Sequence, residues 1–134
     1  LEKLKTACYP KTEKLKRQKL IERLFTEGQS VGQFPLRLVF LSVPENTVPL
    51  QIAVSVSKKY FKKAVDRNYF KRVLRECYRK HQHQIKDQLI EPQVMLFFYQ
   101  TRDRLPFAEI EAKTQLLFAK WAKIQSTQKN EKDV

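Results

Sequence analysis

Hydrophobic positions along the chain follow two periodicities, and the switches between them mark the elements. Within 16–27, Leu20, Ile21, Leu24 and Phe25 recur at helical spacing as one apolar stripe, with Lys16, Arg17, Lys19 and Arg23 off it. Gly28 then supplies a C-terminal stop. The stretch 31–43 reads as strand. Leu36, Leu38 and Phe40 alternate there with Arg37, Val39 and Leu41, and Pro35 marks an edge or a strand start. Pro44-Glu45-Asn46-Thr47 is a turn cluster. The clearest strand is 50–57, with Ile52, Val54 and Val56 on one face and Ala53, Ser55 and Ser57 on the other. That small polar face has two readings, a plain solvent face or a surface open to a ligand that approaches the sheet closely. Alternation alone does not choose between them.

The period returns to helical after Lys63. Projected at about 100° per residue, Phe70, Val73, Leu74, Cys77, Tyr78 and His81 share one face. Arg67, Asn68, Lys71, Arg72, Arg75 and Arg79 share a neighbouring one. Asp66 stands where it can cap the first turn, and the pattern carries the helix to about residue 88. Pro92 closes the connection. The unbroken apolar run 94–99 predicts a buried central strand. A loop follows at 102–106, then a helix over 107–124 with Ile110, Leu117, Phe118 and Trp121 near one face. Residues 1–14 read as a basic extended arm and 125–134 as a disordered polar tail, leaving 15–124 as the folded domain. The order helix, two or three strands, helix, strand, helix predicts an α+β fold, a two-layer sandwich of helices on a small sheet.

Charge changes the picture next. The chain carries 27 Lys or Arg against 14 Asp or Glu, a net +13 over 134 residues. Residues 58–80 alone hold ten bases and two acids, a local +8. Arg67, Lys71, Arg75 and Arg79 form an i, i+4 ladder of like charge. Each such pair costs an isolated helix roughly 0.2–0.5 kcal/mol. A helix that accepts three of these steps is presenting them to an anion, and nucleic acid is the expected partner ahead of an anionic membrane surface. Four of the face residues are Arg, whose forked guanidinium suits bidentate phosphate contact. Asn68 can both donate and accept, which suits a base edge or a 2′-hydroxyl. Tyr60, Phe61, Tyr69 and Phe70 are nearby aromatics that can stack on bases, although Phe70 lies on the apolar stripe and reads as core.

Catalytic chemistry is missing from the pattern. Gly28 and Gly32 are the only glycines, so no phosphate-cradling loop exists. His81 and His83 point in different directions and lack ligand-spaced partners. No carboxylate pair suits two-metal hydrolysis, which disfavours an autonomous nuclease, and no Ser or Cys nucleophile has an activating neighbour. Cys8 and Cys77 are 69 positions apart, form no zinc or redox spacing, and are expected to be reduced thiols, with Cys77 packed as a small apolar residue. No apolar run approaches the roughly 20 residues of a membrane span, and 1–12 is too polar for a signal peptide. A cytoplasmic protein with no membrane association is expected.

Three segments carry a family resemblance. They are Ala53-Val54-Ser55-Val56-Ser57-Lys58-Lys59, Lys63-Ala64-Val65-Asp66-Arg67-Asn68 and Lys71-Arg72-Val73-Leu74-Arg75-Glu76. Together they resemble the protein subunit of bacterial ribonuclease P, whose signature is a strand ending Ser-x-Ser-Lys-Lys followed by Ala-Val-x-Arg-Asn-Arg-x-Lys-Arg-x-x-Arg. The likeness runs in order over 15–124 and includes the helix end Leu24-Phe25-Thr26-Glu27-Gly28. Two departures stand out: Tyr69 replaces the signature's third Arg, and Ile21 occupies a position where the family favours an aromatic. The loss at Tyr69 removes one cationic contact and leaves a stacking contact open.

The resemblance implies a sandwich like the second domain of ribosomal protein S5, ordered α-β-β-β-α-β-α with a left-handed βαβ crossover. It implies an accessory subunit of an endoribonuclease that removes the 5′ leader of precursor tRNA, with the chemistry carried by a catalytic RNA. Magnesium is then used by the holoenzyme, with no cofactor bound by the protein alone. The implied partners are ribonuclease P RNA and precursor tRNA, with no obligate protein partner. On this reading Lys58, Lys59, Lys62, Lys63, Arg67, Asn68, Lys71, Arg72, Arg75 and Arg79 face the RNA subunit. Phe25, Arg37, Ser55 and Ser57 line the leader cleft, and no residue is catalytic. The alternative is a ribosomal or chaperone-like RNA-binding protein with no enzyme complex.

Overall fold

The computed structural model describes residues 14–133, with side chains as far as Thr127. Most of the basic arm, Cys8 included, lies outside the described residues. The elements are α1 (Gln18–Glu27), β1 (Gln29–Gln33), β2 (Leu36–Ser42), β3 (Leu50–Val56), α2 (Ala64–His81), a single turn α3 (His83–Lys86), β4 (Gln93–Tyr99) and α4 (Phe107–Asp133). The four strands form one sheet in the order β1-β2-β4-β3. β2 runs antiparallel to β1 and β4, and β3 runs parallel to β4. A parallel pair needs a long crossover, and α2 with α3 supplies it.

The unbroken apolar run of β4 follows from its place between β2 and β3, with both faces covered except at half-buried Phe98. Met95, Phe97 and Tyr99 point toward α2 and α4, joined by Leu36, Leu38 and Phe40 of β2 and Leu50, Ile52 and Val56 of β3. Stacked rings close this core: Phe61 on Phe70 at 4.7 Å, and Phe70 on Tyr99 at 4.6 Å. Trp121 meets Phe40 edge-on at 6.4 Å from the α4 side. Ile110, Leu117, Phe118 and Trp121 are all fully buried, as their spacing predicts. The opposite sheet face holds a smaller core, in which Leu20 and Leu24 of α1 pack with Leu15, Val43, Val94 and Leu96. The result is the two-layer α+β architecture with α2 and α4 on one face and α1 on part of the other.

Four expectations change. The stretch 31–43 is two strands, because Phe34-Pro35, a cis peptide, turns the chain into a hairpin that pairs Gln33 with Leu36. Asp66 caps nothing: Lys63 is the N-cap of α2, without a side-chain cap. Asp66 instead accepts a hydrogen bond from Arg104 Nη1 at 3.0 Å. The disordered tail expected from Gln125 is corrected as well, since α4 continues to Asp133. Gln125 is buried and its Oε1 accepts from Gln93 Nε2 at 2.8 Å, which anchors an extra turn against the end of β4. Phe61 proves as buried as Phe70, so neither is available to stack on a base.

Candidate nucleic-acid interface

The α1 helix packs across β2 and β4, and the sheet surface beside its C-terminal end is where the residues expected to line a cleft fall. Strand register lines up the floor. Gly32 of β1 pairs with Arg37 of β2, Arg37 with Phe98 of β4, and Phe98 with Ser55 of β3, so one row crosses the whole sheet. Arg37 is exposed and its guanidinium is held in place, Nη1 donating to Ser30 Oγ at 3.0 Å and Nε to Gln100 Oε1 at 3.3 Å. Phe25, at the end of α1, is 65% exposed, and its ring centroid lies 6.3 Å from that of Phe98 at an angle of 58°. Gly28 fixes this approach. Its N–H donates to Leu24 O at 3.0 Å, and a Cβ there would sit 2.3 Å from the same oxygen and 3.1 Å from Val39 Cγ1. The backbone is in the ordinary extended region, so glycine is required by space and not by conformation.

Of the four residues expected to line a cleft, Phe25, Arg37 and Ser55 converge around Phe98. Ser57 lies past the last strand pair, Val56 with Tyr99, in the exposed turn, where its Oγ accepts from Lys59 N at 3.1 Å. It stands at the rim. Ala53 belongs to the α1 core. A floor of small residues, two aromatic rings and one braced guanidinium can stack unpaired bases and hold a phosphate.

The basic set is displayed from the β3–α2 turn and from α2 itself. Lys58, Lys59, Lys62 and Lys63 are exposed along the connection, and Asn68, Arg72 and Arg75 are exposed on the helix. Not all the cations are equivalent. Arg67 Nη1 donates to two backbone carbonyls, Phe61 O at 3.0 Å and Lys62 O at 2.8 Å, tying the connection to the helix start. Arg79 is paired with Glu76, Nε to Oε2 at 3.0 Å. That bond holds the Glu76 carboxyl below the usual carboxylate range. Lys71 and Arg75 face the outer edge of β3, where they line a groove of about 240 Å³ with Lys14, Lys16 and Ala53. There Lys14 bridges to Ile52 in parallel, and Leu15 N donates to Ile52 O at 3.2 Å.

The family described as Ribonuclease P matches this chain over residues 9–122. The chain belongs to the ribonuclease P protein family. It is 38% identical over 109 residues to the ribonuclease P protein component of Porphyromonas gingivalis, covering 78% of this chain and 80% of that one. With the Chlorobaculum tepidum protein of the same name it shares 32% over 121 residues, 81% of this chain and 79% of the other. Solved ribonuclease P proteins share the fold. The Staphylococcus aureus protein superposes with a TM-score of 0.65 at 21% identity, over 78% of this chain and 91% of its own. The Thermotoga maritima protein gives 0.61 at 22%, over 79% and 96%. Family membership sets aside the reading as a ribosomal or chaperone-like protein.

Four residues of this surface escaped the sequence pattern. Phe98 sits inside an apolar run that reads as wholly buried, and only strand register shows it beneath Phe25. Lys14 and Lys16 read as arm and helix surface, and only the bridge to Ile52 brings them beside Lys71 and Arg75. Arg104 reads as loop. Its guanidinium lies 5.2 Å from the Phe70 ring centroid and 5.8 Å from that of Tyr69 while it binds Asp66. Among the described residues no group of three or more His, Cys, Asp or Glu is placed to hold a metal ion. Among the same residues no helix is long and apolar enough to cross a membrane.

Proposed function

We propose that this chain is the protein component of a ribonuclease P that matures tRNA 5′ ends, and that it works by binding RNA on two surfaces. The α2 side, with Lys58, Lys59, Lys62, Lys63, Asn68, Lys71, Arg72 and Arg75, docks the ribonuclease P RNA. The cleft of Phe25, Arg37, Phe98 and Ser55 takes the single-stranded 5′ leader of precursor tRNA, with Ser57 at its rim. Phosphodiester hydrolysis and the magnesium it uses reside in the RNA subunit. The protein supplies position and charge neutralisation, which fits a cytoplasmic accessory subunit needing no second protein.

The observation that carries this reading is the row Arg37–Phe98–Ser55 facing exposed Phe25. It is a stacking floor with one fixed cation, on a chain whose net charge is +13. Such a site favours single-stranded over duplex nucleic acid, because only unpaired bases can turn onto the rings. Reconstitution tests the reading. Added to a bacterial ribonuclease P RNA at low magnesium, the chain is expected to restore cleavage of precursor tRNA at the mature 5′ end. Absence of stimulation, or cleavage by the chain without RNA, would contradict it.

A further inference from the structure

The signature position occupied by Tyr69 has a neighbour that the docking surface leaves unused. Tyr69, Arg72, Val73, Glu76 and Phe107 line an open, mainly apolar notch of about 270 Å³ between α2 and the start of α4. Tyr69 is 43% exposed but not loose. Its ring meets Phe70 edge-on at 5.0 Å and 89°, and the Arg104 guanidinium lies 5.8 Å from its centroid. Phe107 is half-buried, with Lys80 Nζ 5.1 Å from its ring centroid. Two aromatic rings are thus held in place before any ligand arrives, so little side-chain freedom remains to be lost on binding.

We propose that this notch receives one unpaired nucleobase of the ribonuclease P RNA, stacked on Tyr69, with the adjoining phosphate on Arg72. The inference rests on the RNA-docking role proposed above for α2. Position favours it, since Tyr69 and Arg72 sit on the same helix as Asn68, Lys71 and Arg75. Charge favours it too. The notch opens among cations, which attract a polyanion and repel a second copy of a chain carrying +13. The notch also holds one acceptor. Glu76 is one of the lining residues, and its carboxylate, held by Arg79 on both oxygens, keeps lone pairs that can accept from the exocyclic amino group of a base at the notch mouth. Adenine, guanine and cytosine carry such a donor and uracil does not. The substitution of Tyr for the signature's third Arg therefore exchanges a phosphate contact for a base contact.

The test is titration of a bacterial ribonuclease P RNA with the full chain and its Tyr69→Phe, Tyr69→Leu and Arg72→Ala variants over a salt series. Tyr69→Phe is expected to bind as the parent does. Tyr69→Leu keeps apolar packing but removes the ring. It should weaken binding on the order of 5- to 150-fold, the usual range for loss of one stacked base, with an unchanged salt slope. Arg72→Ala should reduce the slope by about one ion. Ultraviolet cross-linking should join the parent, and not Tyr69→Leu, to one unpaired nucleotide. Thermal melting of Tyr69→Leu near the parent's value shows that the fold is kept. Parent-like affinity of Tyr69→Leu would overturn the proposal while leaving RNA docking intact. So would a loss of affinity with a changed slope, or a Tyr69-dependent dimer in sedimentation. A parent chain that fails to bind the RNA sinks both readings.

Discussion

Arg67 and Arg72 share a helix face and a charge, yet the structure assigns them different work, and replacing each with Ala separates the two. Arg67 Nη1 holds the carbonyls of Phe61 and Lys62, the first partly buried and the second exposed. Hydrogen bonds to a charged donor contribute about 1.5–3 kcal/mol each when buried. Water can replace much of this at a half-exposed site, so Arg67→Ala should cost about 1–2 kcal/mol in total. That corresponds to a melting temperature lower by roughly 3–8 °C for a domain of this size. Arg72 has no such role and is exposed, so Arg72→Ala should stay within about 0.5 kcal/mol of the parent. RNA affinity measured from low to moderate salt gives the second axis. Arg72→Ala should lose about one unit of salt slope, and Arg67→Ala much less than one at temperatures where it remains folded. If Arg67→Ala melts like the parent and loses a full unit of slope, the carbonyl bonds carry nothing. Arg67 would then be a plain phosphate contact.

Two further outcomes follow from the packing. Gly28→Ala forces a Cβ against Leu24 O, a backbone atom with little room to move, and should cost about 1–3 kcal/mol; a lowered denaturant midpoint together with weakened leader binding checks it. Cys77 is buried, and desolvation pushes its thiol up to about 11. The unfolded thiol ionises first, so the unfolded state binds fewer protons between about pH 9 and 11. Stability should fall with rising pH across that window by about 2–3 kcal/mol more in the parent than in Cys77→Ala, as denaturation at stepped pH would show.

The elements legible in the sequence are those whose apolar stripes face one of the two cores. The 3.6 period of α2 and α4, the alternation of β3 and the unbroken run of β4 each reflect burial directly. Charge made the α2 face legible for the same local reason. Other features depend on what meets what. The hairpin at Phe34-Pro35 shifts the inward positions from odd (Val31) to even (Leu36, Leu38, Phe40), but Val31 is the one apolar residue of β1, too few for the alternation to show the break. Phe98 stands in an apolar run and Phe61 between pairs of lysines, and both contexts mislead. One floors the cleft and the other stacks beneath Phe70, and only register and ring geometry distinguish them. Asp66 looks like a cap until Arg104, distant in sequence, claims its carboxylate. The end of α4 depends on Gln93 meeting Gln125, a pairing of polar residues that periodicity treats as solvent positions.

The central claim is that the α1 cleft reads single-stranded leader while α2 holds the RNA subunit. Its most direct test compares the reconstituted holoenzyme's affinity for precursor tRNA with a leader and for leaderless tRNA, using the parent chain and Phe25→Ala. Phe25 is mostly exposed, so its removal leaves the fold in place. The account predicts tighter binding of the leader-bearing substrate by the parent, and loss of about 1–3 kcal/mol of that preference in Phe25→Ala. Binding of leaderless tRNA should be unchanged. An equal effect of Phe25→Ala on both substrates, or no effect on either, would contradict it.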